Sequence, residues 1–138
     1  MPNAIVRAAA TGLPSTDFAS QIFPPSKLAA MSMHDLAQLS QLLWVVQGAI
    51  AQSAIINHPG PITPACNMLQ DFSGEVVSAL SDIAATARAH QPTDAAEARW
   101  RAWLLLSSAA LFSNDLAEIA VTATNAVADE RSFAGSHH

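Results

Sequence analysis

The side chains in this sequence able to do more than pack are one cysteine, three internal histidines, two spaced carboxylate pairs and three tryptophans. Cys66 follows Thr63-Pro64. With Thr63 as N-cap it takes the third helical position, beside free amides and the positive helix end, a setting that suits a reactive thiol. A cysteine nucleophile also needs a histidine and a site for an oxyanion. His58 is eight residues upstream, across a Pro-Gly-Pro turn, so the spacing leaves a buried structural cysteine as the simpler reading.

Asp71 with Glu75 and Asp115 with Glu118 each face one way on a helix and could share a proton or a metal ion. A carboxylate-bridged di-metal bundle draws on Glu-x-x-His pairs, and none occurs here. Asp71 and Glu75 fall on a wet stripe, whereas Asp115 and Glu118 flank Leu116 and Ile119 at the edge of an apolar one. His34, His58 and His90 each lie near an expected helix end, where capping and dipole effects account for them. His34 and Asp35 are neighbours and point about 100° apart, so they do not converge on one ion. No zinc-ligand spacing, phosphate-binding glycine loop or nucleophile elbow is found. The expectation is a protein that is not an enzyme and holds no metal or cofactor.

Trp44, Trp100 and Trp103 are all the tryptophan present. Trp100 and Trp103 share a helix face, and tryptophan is enriched at the energetic centres of interfaces. With Phe112 and Leu116 they are the candidate contacts for a partner, or the lining of a small-molecule pocket between helices. Glu97 and Arg101 beside them have the i,i+4 spacing of an ordinary helical ion pair.

Charge narrows the choice of partner. The 138 residues carry a net charge of −5 and only 12% charged residues, against 51% hydrophobic ones. Lys27 and five scattered arginines make no basic face, which speaks against nucleic acid and anionic membranes. So few charges leave more apolar surface than one chain of this size hides easily. The expected partner is a second copy, with another protein a further possibility. A single cysteine, no secretory leader and no apolar run of membrane-spanning length point to a cytoplasmic protein.

The elements that position these residues read as all-α: an antiparallel bundle of three long amphipathic helices with an irregular N-terminal arm, completed by homodimerisation. Residues 1–31 form the arm, with short helical turns at 4–10 and 16–22 before Pro24-Pro25 stops them. The bundle covers 32–131, and 132–138 are a tail whose His137 and His138 look like an expression tag. Helix one runs from its Ser32 cap to about Asn57, ahead of Pro59-Gly60-Pro61. Helix two runs from Thr63-Pro64 to His90, with Gly74 inside it as a point of close helix approach. Helix three begins at Thr93-Asp94. If unbroken to Glu130 it is about 55 Å long against about 40 Å for the others, so it overhangs them. Ser113-Asn114-Asp115 is its weak point, because all three side chains compete for backbone hydrogen bonds. A break there would fold the overhang back and give four helices able to close a core within one chain.

Overall fold

The structure, a computed structural model, describes residues 21–135. The described residues are mainly helical and contain no strand; residues 21–22 are helical, and five helices come after them. They are α1 (Pro25–Ala30), α2 (Met33–Ala51), α3 (Pro64–Ala89), α4 (Ala95–Phe112) and α5 (Leu116–Ala134). The expected turn at 4–10, all of that at 16–22 but its last two residues, and the two terminal histidines lie outside the described residues.

The ends of the long helices follow from their caps. Ser32 Oγ accepts from the Asp35 amide at 3.0 Å, and Thr63 Oγ1 from the Cys66 amide at 3.2 Å, with Pro64 at the first helical position. Asp94 Oδ1 accepts from the Glu97 amide at 2.8 Å, and Glu97 Oε2 reaches back to the Thr93 amide at 2.8 Å. This reciprocal pair starts α4 at Ala95.

The helices differ from the three-helix expectation at three points, the last of them the break already weighed as its alternative. Pro25 opens a helix, because proline at the first helical position loses no hydrogen bond. The segment expected to be irregular is therefore helical from Pro25, and its Leu28 is fully buried. Second, α2 stops at Ala51, six residues early. There Asn57 Nδ2 donates to the carbonyls of Ala51 and Ser53, and the Ser53 amide to that of Ile50, which satisfies the helix end without further turns. Third, the long last helix is divided at Ser113-Asn114-Asp115. Ser113 Oγ accepts from the Asp115 amide at 3.0 Å and donates to Glu118 Oε2 at 2.6 Å, while Asp115 Oδ1 caps α5 through the Ala117 amide at 2.8 Å. Ser113 and Asp115 thus satisfy locally backbone amides that a continuous helix would have used.

α2 packs against α3 and is tied to it by a mutual amide–hydroxyl contact between Gln47 and Ser73 (2.8 and 3.1 Å). α2 and α4 run parallel: the His34 ring meets Trp100 edge-on, and Trp44 meets Phe112, both with centroids 4.9 Å apart. The core lies among α2, α3 and α4, with Met33, Leu36, Leu80, Ile83 and Leu104 almost fully buried, and α1 adds Leu28 from its seat on α3. Burial of these apolar side chains, at roughly 1.5–3 kcal/mol each, holds the helices together.

Gly74 does not mark a close approach. A Cβ built there meets nothing within 4 Å, so Gly74→Ala is expected to stabilise the protein by about 0.5–1 kcal/mol, since alanine restricts the unfolded chain and favours the helix. A midpoint shift to higher urea at an unchanged slope would show it. A loss of stability would mean that the position is covered in solution.

Candidate interaction surface

The residues singled out by type fall into separate places. Trp44 and Trp100 are partly buried on the core, through the ring contacts with Phe112 and His34. Trp103 is on the outer side of α4 and 40% exposed, Phe112 is also exposed, and Leu116, the first residue of α5, is 80% exposed. The three indoles therefore do not line one pocket. Cys66 is buried, its thiol accepting from Gln70 Nε2 at 3.6 Å. It shares a cleft of about 410 Å³ with His58, Ile55 and Ile62, at the junction of the 52–63 loop and α3.

Glu97 and Arg101 do not pair with each other. Glu97 takes the α4 cap, with Thr93 Oγ1 at 2.9 Å and His90 Nε2 at 3.3 Å as further partners. The Thr93 amide, then its hydroxyl, then His90 hold the Glu97 carboxyl below its ordinary value of 4.5. A carboxyl depressed in the folded state adds stability that is fully present above the unfolded value and is lost as pH falls through the folded one. Wild type is thus expected to melt above Glu97→Gln at pH 7, and the gap should narrow as pH falls below the ordinary carboxyl range. Melting curves of both proteins across that range check this, and a gap independent of pH would contradict it.

Arg101 joins three helices. Its Nε donates to the Ala87 carbonyl at 2.8 Å, Nη2 to the Arg88 carbonyl at 3.1 Å, and Nη1 to Asp129 Oδ2 at 2.7 Å. Beside it a cleft of about 760 Å³ separates α3 from the α4–α5 turn, lined by Ser81, Arg88, Ser108, Phe112 and Glu118. Ser108 is buried. Neither Arg88 nor Ser108 was singled out by sequence, since an arginine on a wet helix face and a serine among alanines carry no spacing signal.

The least expected feature is α5. It folds back on α4 and packs chiefly there, yet none of its residues is buried. Its half-buried positions, Ile119, Thr122, Ala123, Ala126 and Asp129, recur at helical spacing and form the seam with α4. Leu116, Val121 and Val127 remain exposed. A second apolar surface lies on the outer side of α2, where Leu42 and Val45 are exposed amid glutamines. Residues 36–70 contain no Asp, Glu, Lys or Arg at all.

Among the described residues no group of three or more His, Cys, Asp or Glu is placed to hold a metal ion, and no helix is long and apolar enough to cross a membrane. No family model, curated protein or solved structure matches the chain.

Proposed function

We propose that this is a non-enzymatic helical interaction protein that acts as a homo-oligomer, its helices completing a bundle only when copies associate. The observation that carries this reading is α5, a 19-residue helix that half-buries one seam against α4 and fully buries no side chain within its own chain. An isolated helix of that length is marginal in water, and helices in proteins are held mainly by packing of an apolar face. The broken overhang does fold back, but it leaves the apolar surface open instead of closing a core. The uncharged outer side of α2 offers a further apolar surface for a different protein, which fits an adaptor role.

Light scattering at micromolar concentration is expected to return at least twice the chain mass of 14.4 kDa. A 14.4 kDa species with full helical content would sink the proposal. A small-ligand reading draws on the α3–α4–α5 cleft, whose lining includes Arg88, Ser108 and Phe112 together with the carboxylates of Asp115 and Glu118. That mixed lining suits a small polar ligand with an apolar body and both donor and acceptor groups, and calorimetric titration with amino acids of apolar side chain tests it.

A further inference from the structure

The self-association proposed above has a definite place on the molecule if the α4–α5 hairpin is followed stripe by stripe. On α4, Arg99, Trp103, Leu106 and Ala110 recur at steps of four, three and four, so they form one line along the helix. On α5, the exposed Leu116, Ala120, Val127 and Glu130 lie along one line in the same way, at steps of four, seven and three, beside the seam residue Ala123. The Arg99–Glu130 ion pair, at 3.1 Å, joins the two lines at one end and fixes them side by side. The opposite side of the hairpin is fixed by Arg101 and Asp129 and turns toward α3. The first side is therefore the outward one, and Trp103, Leu106, Leu116 and Val127 are all exposed on it.

Two properties of this face favour a second copy of the chain as its occupant. The first is charge. The chain carries −5 overall, so like-with-like contact through most of its surface is repulsive. Along both stripes the only charged residues are Arg99 and Glu130, which cancel each other. The second is size. Helices of 18 and 19 residues are about 27 Å long, and a pair of them spaced by 8–10 Å presents a footprint of about 500 Å². A ridged surface has more accessible area than its flat outline, which brings it toward the roughly 800 Å² per partner of a stable dimer.

We infer that two copies pair hairpin to hairpin through this outward face, about a two-fold axis passing near Leu106, so that α4, α5 and their partner copies form a four-helix layer. The inference rests on the self-association reading and adds the surface to it. An isologous contact uses the same patch twice, so each substitution acts on both sides of the interface.

The test uses the full chain by light scattering, with circular dichroism as the check on folding. Leu106→Glu and Val127→Glu are expected to convert the dimer to monomer at unchanged helix content, raising the dissociation constant by about 100-fold or more, because each places two unpaired charges in the contact. Leu42→Glu on α2 is expected to leave the dimer intact. As a second readout, Leu106→Cys in a Cys66→Ser background should form a disulfide-linked dimer on mild oxidation, and Leu42→Cys should not; this holds even if the glutamate variants unfold. A wild type that is monomeric overturns the self-association reading itself. A wild-type dimer that survives both hairpin substitutions, or that cross-links through Leu42→Cys instead, leaves that reading standing and overturns only the choice of face.

Discussion

Replacing Leu28 by alanine is expected to cost the protein about 2–5 kcal/mol, the range for emptying a leucine site in a packed core. Leu28 has no exposed surface and sits in the same cluster as Leu36, Leu80 and Ile83. It arrives there on a helix of only six residues, whose stability alone is negligible. α1 is therefore held by what Leu28 buries, and the alanine variant loses both the side-chain contacts and the reason for α1 to stay on α3. For a domain whose total stability is of the order of 5–15 kcal/mol, that is a large share. Urea unfolding followed by circular dichroism measures it. Leu42→Ala, on the exposed side of α2, should change stability by less than about 0.5 kcal/mol. If Leu28→Ala were as mild as Leu42→Ala, α1 would not be part of the core in solution.

Leu28 also shows where sequence reasoning stops. Pro24-Pro25 reads as a stop when it follows an apolar run and as a start when it precedes one. Both residues have the φ angle that either role needs, and only the burial of Leu28 decides. Caps that rely on neighbours within four residues were legible at Ser32 and at Thr63 with Pro64, which take the roles that their spacing implies, whereas the reciprocal cap of Asp94 and Glu97 was hidden behind the i,i+4 spacing of Glu97 and Arg101. The break at Ser113-Asp115 was visible as a weakness and no more, because its outcome depends on whether local side-chain bonds outweigh helix continuation by a small margin. That margin matters for the interaction surface. In a continuous helix, Leu116, Ile119, Ala123 and Val127 would form one stripe with Leu105, Ala109 and Phe112. After the turn, Ile119 and Ala123 face the α4 seam while Leu116 and Val127 are left outside. The residues of the candidate surface were readable as apolar, but their division between inside and outside was not.

Arg101→Ala is expected to destabilise by about 2–3 kcal/mol, more than the loss of any other single charge in the described residues. Its side chain is only 18% exposed, and it makes three hydrogen bonds at once. Hydrogen bonds involving a charged group contribute about 1.5–3 kcal/mol where water is largely excluded. Two of the acceptors are carbonyls in the last turn of α3, where a cation also meets the negative end of the helix. The third, Asp129, is 28 residues away on α5, and a partner at that separation has no sequence signature. The nearer Glu97 looked like the partner only because helical spacing is what a sequence displays. Removing Arg101 leaves the Ala87 and Arg88 carbonyls without their donor and at the same time loosens α5 from α3. Asp129→Ala loses one of the three contacts and should cost about 1 kcal/mol. Arg101→Lys keeps the charge but cannot span three acceptors with one ammonium, so it should recover less than half of the loss. Chemical unfolding of these variants, with the Arg101–Asp129 double mutant to complete the cycle, separates the contributions. If Arg101→Ala and Asp129→Ala proved equal in cost, the α3 carbonyls would be contributing nothing and Arg101 would be a simple surface ion pair.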